Sequence, residues 1–394
     1  MADAYVYDAV RLPRARVRRS GGTLADLTPY DLFGQLLAAL EKRCCPPELV
    51  DDVIVGVSTA TGEQAGDIAR AAQLWAGWPD SVPGGVVSRL RCSGLDAVES
   101  AAARVSAGFA DVVVAGGVES MSRVPMLSDR PAIAEDSDLG ERTGFVTIGV
   151  SADLTAAAQG IGRSELDAYA VTSHRKASAA AVSDAVVPAR KGGTVLLYGD
   201  EGARANARLD DFVALPTLFG SDAGWERVAR RIPGLPRPDE GLHTIGTAPQ
   251  LADGASAIVV GNRRAAGILG RAPVARIVGT AQTAVRSPLL TAPVTASTLA
   301  LRRAGITAAD LDAVEVNESF AVTPLVLMRE LGLDPERVNT AGSALAVGHP
   351  LGATGGILIA QALDALRRVD GEHALVTIPA ALGLGTALVL RRET

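Results

Sequence analysis

The chain has 394 residues, of which 48% are hydrophobic, 21% are charged and 4% are aromatic. This length allows two ordinary hydrophobic cores, and the composition is typical of a globular protein rather than a disordered or fibrous one. The formal net charge of −6 argues against nucleic acid as a partner, although a local cationic cluster can still bind the phosphates of a small molecule.

The first predicted elements are a helix that ends near Cys44 and Cys45 and a buried strand at 53–57. Three cysteines in total do not make a disulfide framework, and an odd number favours reduced thiols in the cytoplasm. We expect Cys44 and Cys45 to be structural, because neighbouring residues in the sequence rarely reach a common site. The Cys and His spacings fit no metal-binding motif, so no metal is expected.

Cys92 lies at a predicted strand-to-helix junction. An apolar run at 82–90 precedes it, and a small-residue helix pattern at 97–107 follows. Unpaired backbone N–H groups and the helix dipole favour an anion at such a junction, so the pKa of the Cys92 thiol is expected to fall. That setting suits a nucleophile, whereas the alternative for a lone cysteine in an apolar segment is a buried structural role.

After a strand at 111–115, the segment 119–247 is more polar and richer in proline, which indicates an inserted region. A Ser-x-x-Asp pattern at 164–167 predicts the start of a helix that runs toward residue 180. His174 lies on that helix, and we expect it to be solvated. A cationic cluster fits either phosphate binding or a solvated helix face, and consists of Arg227, Arg230, Arg231 and Arg237.

The second half again alternates strands and helices. Strands are predicted at 257–260, 274–278, 313–316 and 373–378, and a helix at 357–368. Asn317 follows one of these strands, and on its own would be a strand-end turn residue. His349 stands between Gly348 and Pro350, a pair that predicts an exposed turn. The uncharged run 374–390 is broken by proline and glycine, so it predicts two buried strands joined by a turn and not a membrane span.

Alternating strands and helices favour an α/β fold in which both faces of the sheet are covered. Three segments go further, because in this order they resemble the thiolase family of acyl-CoA C-acyltransferases. They read CSGLDA (92–97), NESFA (317–321) and GHPLGATG (348–355). Weaker matches at 11–13, 69–70, 115–122, 252–255 and 339–342 extend the resemblance over nearly the whole chain.

The resemblance implies the thiolase fold, with two similar βαβαβαββ halves packed in five layers around an inserted loop domain. On this basis the N-terminal half comprises residues 1–118 with about 248–270, the loop domain comprises 119–247, and the C-terminal half comprises 271–394. It also implies a homodimer or a homotetramer.

The resemblance further implies a mechanism. Cys92 would attack a CoA thioester and become acylated, His349 would activate it, and Asn317 would order a water that helps to hold the oxyanion. The backbone N–H of Cys92 would contribute to a second oxyanion site. Acyl-CoA would be the substrate with no tightly bound cofactor, and the residues on the CoA side would be Ser319, Phe320, Ile148 and Ala248.

The chain departs from the family pattern at several positions. Pro379 stands where the second catalytic cysteine belongs, and Ala381 stands where a glycine belongs. On the CoA side, Ile148 replaces a methionine and Pro249 replaces a serine. Acyl-enzyme formation is therefore expected to survive better than carbon–carbon bond chemistry. Thioester hydrolysis, transacylation or a non-catalytic partner with the same fold are the alternatives.

Overall fold

The structure is a computed structural model and describes residues 3–235 and 237–393. The outermost residues of the predicted halves (1, 2 and 394) lie outside this description. The strands are β1 Ala4–Arg11, β2 Ala15–Arg16, β3 Asp52–Gly56, β4 Gly84–Val87, β5 Val112–Ser120, β6 Ala189–Lys191, β7 Thr194–Leu197, β8 Ala252–Gly261, β9 Ala275–Ala284, β10 Ala313–Val316, β11 His373–Ala380 and β12 Leu384–Arg392.

The α-helices are α1 Pro29–Arg43, α2 Ile68–Trp75, α3 Ser93–Ala107, α4 Ala132–Glu135, α5 Ser137–Thr143, α6 Ile148–Ala158, α7 Arg163–Ala179, α8 Leu209–Val213, α9 Gly224–Arg231, α10 Ala265–Leu269, α11 Ala292–Ala304, α12 Val322–Leu331, α13 Ala344–Val347 and α14 Thr354–Val369. None of the helices in the described part of the chain is long and apolar enough to cross a membrane.

Ten strands form one mixed sheet in the order β10-β11-β12-β9-β1-β8-β5-β3-β4, and β2 pairs with β8. The antiparallel contact between β1 and β9 joins the two halves of the chain. β11 and β12 are antiparallel neighbours joined by a short turn, which confirms the prediction for the run 374–390. β6 and β7 form a separate hairpin.

The layers follow from which faces are apolar. Helices α3 and α14 lie in the middle and share one buried cluster with strands from both halves. A second cluster packs α1 and α2 on the outer face of the first half, and another packs α11 and α12 on the outer face of the second half. The two halves of the sheet thus alternate with three layers of helices, and the five layers expected from the resemblance are confirmed.

The two halves have equivalent topologies. In the first half the strand order is β4-β3-β5-β8-β1, and in the second it is β10-β11-β12-β9. A parallel bridge from Val314 to Val338 takes the place that β4 has in the first half. Helices α3 and α14 therefore occupy corresponding positions, and Cys92 and His349 lie in the connections that lead into them.

Three local expectations need correction. The apolar run 82–90 forms a strand only over β4, and Leu90 adopts a positive φ of 51°. Helix α7 begins after Gly162, so Ser164 lies inside the helix and does not cap it. His174 is 2% exposed, because it packs against Phe212 and its Nδ1 accepts a hydrogen bond from the backbone N–H of Arg204; burial lowers its pKa to about 4.

Among its described residues, the segment between β5 and β8 contributes six of the helices and the β6–β7 hairpin, but no strand of the large sheet. We retain 119–247 as the proposed loop domain. Its helices α6 and α7 share a buried cluster with the start of α12, which brings part of this segment against the end of β10.

Candidate active site

The site forms where the connection before α3 meets the connection before α14. The backbones approach so closely that a Cβ on Gly94 would lie 2.3 Å from the carbonyl oxygen of Gly352. Only glycine fits at such a contact. Cys92 and His349 are therefore held on two connections that touch each other.

Cys92 is fully buried at the start of α3. Its Sγ donates to the carbonyl oxygen of Ile378 at 3.4 Å, so the thiol faces the end of β11. Its backbone N–H donates to the carbonyl oxygen of Arg89 at 3.0 Å. The expectation that this N–H is available for an oxyanion is therefore wrong in this structure, because the donor already has a partner.

The expectation of a lowered Cys92 pKa is also wrong. Burial raises the pKa of the thiol, since a thiolate would lose its hydration, and the nearby carboxylate of Glu99 raises it further. The cations of Arg89 and Arg91 oppose this effect without reversing it. In the structure as it stands, Cys92 is a neutral thiol at neutral pH.

The prediction of an exposed turn at His349 is wrong, because the residue is 2% exposed. Each of its ring nitrogens has a hydrogen-bond partner. Nδ1 lies 2.7 Å from Thr354 Oγ1, whose own hydroxyl donates to the carbonyl oxygen of Pro350 at 3.2 Å. Thr354 therefore accepts from Nδ1–H, which leaves the lone pair on Nε2. Nε2 lies 3.2 Å from Asn317 Nδ2, which donates to it.

The charge state of His349 follows from its surroundings. Burial lowers its pKa well below the usual value, and the cations of Arg91 and Arg14 lower it further. The imidazole is therefore neutral at pH 7, with Nε2 as a proton acceptor. That is the form a general base requires.

Asn317 directly follows β10 and is fully buried. Its Nδ2 donates to Ser319 Oγ at 2.7 Å as well as to His349, while its Oδ1 is buried with no partner among the described residues. The unused oxygen is a position where a water or a substrate donor can bind. Ser319, predicted on the CoA side, uses its hydroxyl to orient Asn317.

The next residue, Glu318, anchors this turn. Its buried carboxylate accepts from Tyr169 at 2.9 Å, from Ser173 at 2.8 Å and from the backbone N–H of Leu345 at 2.9 Å. Asn339 donates to it as well, at 3.2 Å. These bonds tie the end of β10 to α7 and α13 and thereby fix Asn317.

Glu119 plays the corresponding part for the histidine turn. It is fully buried at the end of β5 and accepts from the backbone N–H groups of Ser58, Thr59 and Gly352 and from Gln64 Nε2. The bond to Gly352, 2.8 Å long, holds the turn that follows His349.

Three of the four residues predicted on the CoA side lie together. Ile148 and Ala248 pack against a buried cluster that contains Phe320. Phe219 meets Phe320 edge to face at 5.8 Å, and a Cβ on Gly149 would lie 2.2 Å from the Phe219 ring. Glycine after Ile148 therefore leaves room for the Phe219 ring to pack against Phe320.

Pro379 lies near the end of β11, opposite Gly385 of β12, and is buried. The carbonyl that binds the Cys92 thiol belongs to the preceding residue, Ile378. Pro379 is therefore beside Cys92, but it offers neither an ionisable group nor an N–H donor.

The arginines of the predicted cationic cluster have partners within the protein. Arg227 and Arg230 both pair with Glu141, Arg231 donates to two backbone carbonyl oxygens, and Arg237 donates to the carbonyl oxygen of Gly220. These contacts favour a structural role on the surface of the inserted segment. Their part in phosphate binding stays a prediction.

The sequence motifs did not identify Thr354 or Arg91 as site residues. Thr354 lies in the same glycine-rich motif as His349, five residues later, and its hydroxyl was the available signal. Arg91 directly precedes Cys92, and its charge reaches both Cys92 and His349. A cation beside a predicted nucleophile was visible in the sequence.

Comparison with protein families gives two matches. The description "Thiolase, N-terminal domain" matches residues 5–227, and "Thiolase, C-terminal domain" matches residues 271–392.

Similar proteins and structures cover the full length of the chain. The chain is 33% identical over 421 residues to the 3-oxoadipyl-CoA/3-oxo-5,6-dehydrosuberyl-CoA thiolase of Escherichia coli strain K12, covering 100% of both chains. It is 34% identical over 418 residues to the steroid 3-ketoacyl-CoA thiolase FadA6 of Mycobacterium tuberculosis, covering 100% of this chain and 95% of the other. The crystal structure of the Bacillus anthracis acetyl-CoA acetyltransferase superimposes with a TM-score of 0.85 at 30% identity, covering 100% of this chain and 99% of the other.

Proposed function

The chain belongs to the thiolase family, and from this membership we propose that it is an acyl-CoA C-acyltransferase that works through an acyl-enzyme on Cys92. The observation that carries the proposal is the meeting of the Cys92 turn with a neutral His349 whose Nε2 bonds Asn317. The names of the relatives point to 3-ketoacyl-CoA thioesters as the substrate class.

In the proposed acylation, Asn317 Nδ2 releases Nε2 of His349, and the Cys92 thiol leaves the Ile378 carbonyl and gives its proton to the freed Nε2. The thiolate then attacks the thioester carbonyl and forms a new C–S bond. The free Oδ1 of Asn317 would accept from a water whose other hydrogen donates to the developing oxyanion. The oxyanion collapses, the bond to the sulfur of CoA breaks, and CoA takes the proton back from His349.

The step that forms or breaks the carbon–carbon bond is where the chain is expected to be slow. Condensation requires removal of a proton from the α-carbon of a second acyl-CoA, and thiolysis requires its return. Pro379 can do neither. Loss of a positioned acid/base typically costs about 10²–10⁴-fold in rate. We therefore propose rapid acylation with impaired carbon–carbon bond formation and cleavage.

A second candidate function rests on the state of Cys92. The thiol is buried, bonded to a carbonyl oxygen, and has a raised pKa. A protein in which it stays in that state would bind acyl-CoA without acylation, either as a hydrolase that uses His349 to activate water or as a non-catalytic partner with the thiolase fold.

The activity test uses acetoacetyl-CoA with free CoA and measures acetyl-CoA by chromatography. We expect slow formation of acetyl-CoA that is lost in His349→Asn and kept in the matched variant His373→Asn, whose histidine lies at the start of β11. Acetyl-CoA formation that survives His349→Asn would overturn the proposed site. Hydrolysis to acetoacetate and CoA would favour the second candidate.

We also propose that the protein is a cytoplasmic homodimer or homotetramer. Strand β4 supports an oligomer, because it pairs with β3 alone among the described strands and is only half-buried. An unpaired edge of this kind is a surface on which a second copy can add a strand. Sedimentation that gives a monomer at micromolar concentration would refute the oligomer.

A further inference from the structure

Arg91 differs from its neighbour Arg89 because no described residue forms an ion pair with it, and the buried carboxylate of Glu119 acts on it only from a greater distance. Across the described residues, its guanidinium makes one side-chain hydrogen bond, 3.6 Å long, to the thioether sulfur of Met126, and no ion pair. A thioether is a weak acceptor. By contrast, Arg89, two residues earlier, pairs with Asp96 at 3.1 Å.

The location of Arg91 places this charge near the predicted catalytic residues. It directly precedes Cys92, and the turn that carries both residues touches the turn of His349 through Gly94 and Gly352. Its charge is close enough to His349 to lower the pKa of the imidazole. The positive charge therefore lies at the reacting end of the site.

The Arg91 side chain is also partly removed from water. Burial lowers the pKa of Arg91 to about 10, although the residue as a whole is partly exposed. A cation that has lost part of its hydration is costly unless an anion completes it, and a guanidinium binds a carboxylate through two parallel hydrogen bonds.

We propose that Arg91 binds a carboxylate at the far end of the acyl group, so that the preferred substrates are CoA thioesters of dicarboxylic acids. The inference rests on the proposed function, since it assumes that acyl-CoA enters this site. The alternative anion is a phosphate of CoA itself. The residues expected to face CoA form a separate cluster around Phe320, whereas Cys92 belongs to the central cluster, and the phosphates lie at the end of CoA opposite the thioester.

The test is a calorimetric titration of full-length Cys92→Ala, which cannot form the acyl-enzyme, with three probes: succinyl-CoA, 4-methylpentanoyl-CoA and CoA. The Arg91 and Arg264 variants are made in the same background. The first two acyl groups have nearly the same shape, because an isopropyl group replaces the carboxylate. We expect succinyl-CoA to bind roughly tenfold or more tightly than 4-methylpentanoyl-CoA, as for a charge-assisted hydrogen bond.

Two variants assign the preference to Arg91. Arg91→Met keeps the length of the side chain without the charge and is expected to abolish the preference, while Arg91→Lys keeps most of it. Arg264→Met is the matched control, since it removes one exposed arginine that pairs with Asp111. Thermal unfolding of each variant checks that it is folded.

The outcomes separate the inference from the proposed function. Equal binding of the two acyl-CoA probes by Cys92→Ala, or a preference that persists when Arg91→Met is added, overturns the role of Arg91 alone. Weaker binding of unacylated CoA by Arg91→Met assigns the residue to a phosphate and also overturns it. No binding of any CoA compound overturns the proposed function itself.

Discussion

Replacing Glu315 by glutamine is expected to stabilise the protein, and more so as the pH rises. Glu315 lies on β10, two residues before Asn317, and is fully buried. Neither carboxylate oxygen has a hydrogen-bond partner among the described residues. Burial raises its pKa from 4.5 to about 8, so the folded protein carries it protonated at pH 7.

The size of the effect follows from these two pKa values. The unfolded chain releases the proton of Glu315 near pH 4.5, whereas the folded chain releases it near pH 8. The free energy of unfolding is therefore undiminished below pH 4.5 and declines as the pH rises to about 8. At pH 7 the difference is about 2.5 pH units, or about 3 kcal/mol. Glu315→Gln removes this loss, since the amide does not ionise.

The assay is urea unfolding of both proteins between pH 5 and pH 8. The stability difference is expected to be small at pH 5 and to approach about 3 kcal/mol at pH 7. Glu318→Gln is the matched control, because that buried carboxylate accepts several hydrogen bonds, and its replacement is expected to destabilise the protein. A difference in the free energy of unfolding that does not change with pH would show that folding does not raise the pKa of Glu315.

Two further predictions concern the site. Thr354→Val removes the acceptor of His349 Nδ1–H, so turnover through His349 is expected to fall roughly 10²-fold. The control, Thr377→Val, loses a buried hydroxyl that donates to a backbone carbonyl and is expected to leave the rate unchanged. Equal rates for both variants would contradict the assigned tautomer of His349. In the resting protein, iodoacetamide is expected to label the half-buried Cys44 before the buried Cys45 and Cys92, as judged by peptide mass, and first labelling of Cys92 would show that its thiol is more accessible than the structure has it.

Much of the fold could be predicted from the sequence, because its determinants are local. The apolar runs at 257–260 and 313–316 lie in strands, the run at 53–57 lies in β3 except for its last residue, and the helix predicted at 357–368 lies within α14. Membership of the thiolase family, expected from the motifs at 92–97, 317–321 and 348–355, is confirmed by family matches over residues 5–227 and 271–392.

The environment of individual side chains could not be predicted, because distant segments determine it. The carbonyl oxygen that binds the Cys92 thiol belongs to a residue 286 positions later in the chain. His174 was expected to be solvated, yet the chain around Arg204 and Phe212 covers it. A strand-to-helix junction lowers a thiol pKa only where water or donors reach it, and burial reversed that effect at Cys92.

The most direct test of the account is the intact mass of the protein after brief exposure to acetyl-CoA or acetoacetyl-CoA. We expect acetyl-CoA to add the mass of one acetyl group, and acetoacetyl-CoA the mass of one acetoacetyl group, to the unaltered protein and to Cys44→Ala, with no addition to Cys92→Ala or His349→Asn. Peptide mapping should place the group on Cys92. No added mass on the unaltered protein, or an addition that persists in Cys92→Ala, would contradict the proposed acyl-enzyme.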